Sequence, residues 1–218
     1  MPARLGLGGL WRAWSDLGEV PAIAEAFVRF DREVSLLGVR GIDGTIASYP
    51  LTENVHRDGI LRSSVAPYPD AVLHAAAHEA LTRIMNHYEY VGVLTIEFFA
   101  TPDGLLANEV APRVHNSGHW TIEGAETSQF ENHIRAITGL PLGSTAARGH
   151  AGMLNLLGEM PDRDRMLAIP GLHLHDYGKS PRPDRKLGHC TLTDTDRGRL
   201  LERMNAVTAM LGEPPVPA

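Results

Sequence analysis

The sequence predicts an α+β fold, and three patterns carry that reading: two strand pairs closed by local turns, two separate amphipathic helices, and enough apolar residues to bury a core. The first pair joins Glu33–Val39 to Thr45–Leu51 across Asp43-Gly44, a hairpin signal. The second joins Val91–Phe99 to Leu105–Val110 across Pro102-Asp103-Gly104. With 43% apolar and 21% charged residues the composition is that of an ordinary globular chain.

Taken in order, residues 1–20 place Gly6, Gly8 and Gly9 before Trp11-Arg12 with no strand in front of them. A glycine-rich phosphate loop needs such a strand, so this stretch reads as a disordered start or the remnant of a glycine-rich flap. Pro21 to Phe30 is densely apolar, and Ala24–Val28 within it is strand-like. Asp70 is an N-cap for a helix with Leu73, Ala77, Ala80, Leu81 and Ile84 on one face. His74 and His78 are spaced for a metal, but no third ligand accompanies them, and they read as solvated helix-face residues. Gln129–Ile137 is a second helix, closed by Gly139 with Pro141 beyond. After Gly143 the chain becomes richer in Gly, Pro and Arg, which puts a boundary near 141 and divides it into 21–141 and a small β-rich domain, 142–218. His173 and His175 alternate with Leu172 and Leu174 as one polar strand face, with no role assigned.

Charge and cysteine usage exclude several classes of function. Twenty basic residues against 26 acidic ones give −6, unsuited to nucleic acid or an anionic membrane. The single cysteine, Cys190, excludes an internal disulfide framework and fits a reducing compartment. No apolar run approaches the roughly 18 residues of a membrane span. The expectation is a cytoplasmic protein.

The second hairpin carries the clearest chemistry. A three-residue loop at Pro102-Asp103-Gly104 sets Thr101 against Leu105, and counting back puts Glu97 opposite Glu109. Like charges so placed are destabilising, and Glu97 also sits in an apolar run. Either one carboxyl takes up a proton or a divalent cation lies between them, and oxygen ligands suit Mg²⁺, which completes its shell with water and phosphates. Two glutamates on a solvated sheet face in a slightly different register are the alternative. Asn108 offers a carbonyl oxygen, although strict alternation points it to the other face. Downstream, Arg113, His115, Asn116, Ser117 and His119 crowd one short loop, a donor set suited to a small anion such as a carboxylate or bicarbonate.

Glu97, the stretch Asn108-Glu109-Val110-Ala111-Pro112-Arg113-Val114-His115-Asn116-Ser117-Gly118-His119-Trp120-Thr121 and Ser128-Gln129-Phe130-Glu131 together resemble the 5-(carboxyamino)imidazole ribonucleotide synthases, ATP-grasp enzymes of purine biosynthesis. The likeness extends from Tyr49–Leu61 to Arg185-Lys186-Leu187-Gly188-His189 and covers about residues 20 to 205. It implies the C-terminal lobe of an ATP-grasp domain in 21–141 and a ligase that uses ATP and bicarbonate to carboxylate 5-aminoimidazole ribonucleotide. By position, Glu97 and Glu109 would hold Mg²⁺ across the phosphates, with Glu25, Glu33, His56 and Asn108 at the nucleotide. Arg113, His115, Asn116 and Ser117 would surround bicarbonate and the acyl phosphate. Lys179, Arg185 and Lys186, from the one basic cluster of an acidic chain, would take the ribonucleotide phosphate.

Members of that family begin with a separate domain and a lobe that supplies lysines and a flap over ATP, whereas the first lysine here is Lys179. The resemblance therefore implies a C-terminal portion of the enzyme, slow or inactive by itself, with uncovered apolar surface that favours self-association into a homodimer. A non-catalytic fragment that binds nucleotide or a partner chain is the alternative from another class. A formate-using ATP-grasp transformylase is disfavoured by His115–Trp120.

Overall fold

Strand propensity and burial are concentrated in Arg32–Arg40 (β1), whose Val34–Val39 core is fully covered, and this strand organises the sheet around it. The computed structural model describes residues 7–217. Its strands are β1, Ile46–Ser48 (β2), Thr52–Arg57 (β3), Ile60–Ala66 (β4), Gly92–Thr101 (β5), Gly104–Ala111 (β6), His150–Leu157 (β7), Leu172–Asp176 (β8) and Lys186–Asp194 (β9). They form one antiparallel sheet in the order β6-β5-β1-β3-β4-β7-β9-β8, with β2 paired to β1. The helices are Leu7–Asp16 (α1), Ala71–His87 (α2), Thr121–Gly124 (α3), Gln129–Ile137 (α4), Arg163–Leu167 (α5) and Arg197–Met210 (α6), with a 3₁₀ turn at Asn116–Gly118.

Helix α2 covers β1 and β5 with Ala77, Leu81 and Met85, which pack on Leu36, Leu94 and Ile96. The carboxylate of Asp70 accepts from the amides of Val72 and Leu73 at 3.0 and 2.9 Å, as the sequence predicts. Asp70→Ala is expected to cost about 1 kcal/mol and to lower the melting temperature by roughly 2–4 °C, read by thermal denaturation. On the other half of the sheet α6 places Leu200, Leu201, Met204 and Val207 over β7 and β9. Between the two lies a third cluster in which Trp120 is fully buried and donates from Nε1 to Thr52 Oγ1 at 3.1 Å.

Three local expectations differ from the structure. The return strand expected over Thr45–Leu51 is only Ile46–Ser48, because Pro50 interrupts the ladder and β3 then pairs with the far end of β1. The strand-like segment Ala24–Val28 forms no helix or strand, since β1 begins at Arg32 opposite Ala100, beside the β5–β6 turn, and the residues before it run past the end of β5. Ile23 and Phe27 are 82% and 74% exposed, while Val28 is half-buried and Phe30 stacks on Phe99 at 4.5 Å. Gly9 and Trp11 belong to helix α1 rather than to a flap loop or disordered start, while Gly6 lies outside the described residues. At the 141 boundary, residues 140–146 form neither helix nor strand, yet the ladder crosses from 21–141 to 142–218 through β4 and β7, where Ser63 pairs Leu154.

Candidate functional site

A cleft of about 450 Å³ opens where β1, β3–β4 and β5–β6 meet the loop after β6, the end of β7 and the start of β9. Glu33, His56, Glu97, Asn108, Glu109, Arg113, His115, Asn116 and Lys186 line it, so one surface gathers residues from five separate stretches of sequence. Ser117 lies fully buried behind His115. Glu25 sits on the exposed irregular segment, and Lys179 and Arg185 lie on the loop before β9; these three are outside the cleft wall.

The β5–β6 hairpin puts Glu97 opposite Glu109. The route differs from the expected one: Thr101 pairs Gly104 rather than Leu105, so the loop is one residue shorter, and Gly104 takes φ +117° at its end. The missing residue returns as a bulge. Phe98 pairs Ala107 while Glu97 pairs Glu109, leaving Asn108 as the extra residue. That bulge breaks the alternation that would have turned Asn108 away, and Asn108 and Glu109 both line the cleft.

Three carboxylates share this wall with one imidazole. Glu33 Oε2 lies 3.2 Å from His56 Nδ1 and accepts from the His56 amide at 3.3 Å, while His56 Nε2 is 3.9 Å from Glu97 Oε1. Burial pushes the Glu97 carboxyl up, and Glu109 and Glu33 add to this against the opposing pull of His56 and Arg113. Burial acts to lower His56, but the Glu33 carboxylate outweighs it, with Glu97 and Glu109 behind, and holds the imidazole above its ordinary value. For Glu33 burial is likewise outweighed by the hydrogen bonds of His56, and its carboxyl lies below its ordinary value. The buried Glu97 and the exposed Glu109 opposite it, with the adjacent amide oxygen of Asn108, make a hard, anionic donor set of the kind a divalent cation takes together with water and phosphate.

The donor loop is fixed from below. Gln129 clamps the backbone of His115, accepting from its amide at 2.8 Å and donating to its carbonyl at 2.7 Å. Gly118 permits this close seat, because a Cβ there would overlap Leu37 and the Gln129 side chain. His115 Nε2 lies 3.8 Å from Glu97 Oε1. Burial, with Arg113, His56 and Lys186 nearby, brings its pKa down to about 4, so the ring is neutral at physiological pH. Arg113 stays largely exposed on the rim.

At the opposite wall Lys186 donates to Asn116 Oδ1 and lies 5.5 Å from the Tyr177 ring centroid. Burial, and then Lys179, lower its pKa to about 8. Lys179 sits over the same tyrosine at 5.2 Å, and Arg185 donates to Ser180 O at 3.2 Å. His175, assigned to a plain polar face, instead stacks on His189 with centroids 4.2 Å apart and bonds Glu123 at 2.7 Å. Tyr177 Oη reaches His189 Nδ1 at 2.7 Å, and His119 packs against His189 at 4.8 Å. This aromatic bank behind Lys186 escaped the sequence reading, as did Asn155, which donates to Leu61 O at 2.7 Å while its Oδ1 is buried without a protein partner. The only sequence signal for the bank is the recurrence of histidine beside the basic cluster.

The chain matches known proteins in both sequence and fold. An ATP-grasp domain model matches residues 9–130, and a phosphoribosylaminoimidazole carboxylase C-terminal domain model matches 151–203. The N5-carboxyaminoimidazole ribonucleotide synthase of Pseudomonas aeruginosa is 52% identical over 199 residues, covering 91% of this chain and 55% of the relative. That of Escherichia coli is 49% identical, covering 93% and 59%. The crystal structure of the synthetase from Thermus thermophilus superimposes with a TM-score of 0.93 at 52% identity, over 97% of this chain and 59% of that one. The synthase from Aspergillus clavatus, solved with ADP and 5-aminoimidazole ribonucleotide, superimposes at 0.80 with 31% identity, over 86% and 53%. The chain thus spans somewhat over half the length of these relatives. No helix among the described residues is long and apolar enough to cross a membrane. With more than half of its residues matched by the ATP-grasp model and most of the rest by the carboxylase C-terminal model, the chain belongs to the ATP-grasp family.

Proposed function

We propose that this chain carries the nucleotide, bicarbonate and ribonucleotide sites of an ATP-dependent ligase that carboxylates the amine of 5-aminoimidazole ribonucleotide in purine biosynthesis, in the cytoplasm. The observation that carries the reading is the meeting, in one cleft, of the Glu97–Glu109 pair, the Arg113–Asn116 donors and Lys186. Glu97 and Glu109 would hold Mg²⁺, which supplies neutralisation of charge on the nucleotide phosphates. Glu33 and His56, as a fixed ion pair beside them, set the charge of the nucleotide wall, with Asn108 on the bulge. Glu25 is kept as a nucleotide contact on sequence position alone. Arg113 and Asn116 orient bicarbonate, and the neutral His115 and the buried Ser117 stand beside them. Lys186, with Lys179 and Arg185 on the adjoining loop, takes the 5′-phosphate of the ribonucleotide.

The 218-residue chain assayed alone is expected to be slow or inactive, because Glu109 lies on an exposed edge strand and nothing among the described residues covers the phosphates from that side. An acyl phosphate formed there would be open to water. Calorimetric titration should show binding of Mg·ADP and, separately, of 5-aminoimidazole ribonucleotide. ADP release should require both bicarbonate and ribonucleotide and should rise at least tenfold when the remaining N-terminal part of a relative is added. A folded chain that binds neither ligand overturns the reading. The exposed Trp11, Ile23 and Phe27 favour the second reading, a fragment that associates with a partner or with its own copy as a homodimer. Sedimentation velocity distinguishes these.

A further inference from the structure

We propose that Ser64, Asn54, Ser35 and Ser117 form a buried relay that holds His115 as the Nε2–H tautomer, so that its imidazole meets the bound oxyanion as a hydrogen-bond donor and not as a base. This rests on the ligase reading for the identity of the anion, but the tautomer itself rests on the fold alone.

The relay runs through four separate elements. Ser64 Oγ on β4 donates to Asn54 Oδ1 on β3 at 2.8 Å, and Asn54 Nδ2 donates to Ser35 Oγ on β1 at 2.8 Å. Ser35 Oγ donates to Ser117 Oγ at 2.9 Å, and Ser117 Oγ lies 2.9 Å from His115 Nδ1. Ser35, Ser64 and Ser117 are fully buried and Asn54 is 4% exposed, so water does not compete for these groups. Hydroxyls and amides can in principle be turned round, which would reverse the chain and leave His115 donating from Nδ1. One donor in the set cannot be reversed: the backbone amide of Ser117, which reaches the same Nδ1 at 3.3 Å. An Nδ1 that accepts from a main-chain N–H carries no proton of its own, so the neutral ring is protonated at Nε2. The donation then runs in one direction from Ser64 to the imidazole, and every hydroxyl in it is satisfied.

The consequence is chemical. Nε2 faces the cleft wall that Glu97 and Asn116 share, and it presents an N–H there that needs no rearrangement when negative charge grows on a bound oxygen. A ring so held has no free lone pair on the cleft side with which to remove a proton from the substrate amine. Ser35, Asn54 and Ser64 touch no ligand themselves and act as positioning residues. The relay also explains how these three polar side chains are accommodated in the interior, where an unpaired hydroxyl or amide is costly.

The test is two-bond ¹H–¹⁵N correlation spectroscopy of the chain labelled with ¹⁵N-histidine, at a pH where the ring is neutral, with the His115 signals identified by their loss in His115→Gln. The expected spectrum has a protonated Nε2 and an unprotonated Nδ1. Ser35→Ala should lower the Nε2–H to Nδ1–H ratio by about fivefold, the effect of one lost hydrogen bond of ordinary strength, and Ser35→Thr, which keeps the hydroxyl, should restore it. If Ser35→Ala does not fold, Ser117→Ala breaks the relay at its last hydroxyl and is read in the same way. A wild-type ring protonated at Nδ1, or a mixture of forms, overturns the tautomer assignment. A ratio unchanged in a folded Ser35→Ala or Ser117→Ala variant overturns the relay. Neither result depends on substrate, so failure here is distinct from failure of the ligand titrations that decide the ligase reading.

Discussion

Glu97→Gln is expected to weaken Mg²⁺-dependent ADP binding by at least about 100-fold, beyond what loss of a supporting group around a metal usually costs, while the fold without ligand stays as stable or becomes slightly firmer. The two halves of that expectation have one cause. Glu97 is 9% exposed and faces Glu109 across the hairpin, and burial together with the neighbouring carboxylates raises its pKa. A carboxyl whose folded pKa lies above its unfolded one binds protons more tightly when folded. Its contribution to stability therefore falls as pH rises through the window between the ordinary and the raised value, and above that window the ionised group burdens the fold. Glutamine removes the charge and with it that pH dependence. His56 runs the other way: its pKa is raised by Glu33, Glu97 and Glu109, so the stability it contributes is present at low pH and is lost as pH rises through the raised value. In Glu97→Gln one of those supports is gone, and the His56 titration should move down, which NMR would follow. Retained Mg²⁺-dependent binding in a calorimetric titration would remove Glu97 from the metal site. A large loss of melting temperature would assign it a structural role instead.

How far the site could be read from the sequence depends on whether its signal was local. The Glu97–Glu109 pairing was legible because Pro102-Asp103-Gly104 marks the turn and the apolar run around Glu97 marks the strand. The register was right for an incomplete reason, since a shorter loop and the bulge at Asn108 offset one another. That bulge has no glycine or proline to announce it. The donor loop was legible from its density of unlike polar groups, and its matching stretch carries the family likeness. Ser35, Asn54 and Ser64 were not, because they lie on three different strands with no local motif to join them, and only the order β1-β3-β4 in the sheet turns them into a chain. His175 was misread for a related reason: alternation identifies a face, but the partner on that face, His189, lies on the neighbouring strand. At Ala24–Val28 the opposite error arose. Apolar density there resembles a strand, but a strand also needs an edge to pair with, and sequence density carries no record of where the neighbouring strand ends.

Lys186→Ala is expected to lower affinity for 5-aminoimidazole ribonucleotide by about 10- to 100-fold, the range for loss of a hydrogen bond from a charged group, with a much smaller change for Mg·ADP. Lys186 is the one member of the basic cluster that lines the cleft; Lys179 and Arg185 lie outside its wall, so their removal should cost less. The pH dependence makes the assignment specific. Burial, and after it Lys179, bring the Lys186 ammonium down to about 8 from its ordinary value of 10.5. A lysine whose folded pKa is depressed releases its proton more readily in the native state, so the fold gains stability from this group as pH rises from about 8 toward 10.5. Phosphate binding has the opposite demand, because it needs the charged form. Ribonucleotide affinity of the wild type should therefore decline as pH rises above about 8, just where the unliganded fold becomes firmer. In Lys186→Ala that decline should be absent. Lys179→Ala removes a neighbouring cation that depresses Lys186, so the decline should persist but move to higher pH. Added salt should weaken wild-type binding more than that of Lys186→Ala, since one charge contact fewer is left to screen. Calorimetric titrations of the three proteins across this pH range decide the matter. If wild-type affinity is flat through pH 8 and Lys186→Ala binds the ribonucleotide as the wild type does, the phosphate is held elsewhere and the basic loop is only a solvated surface.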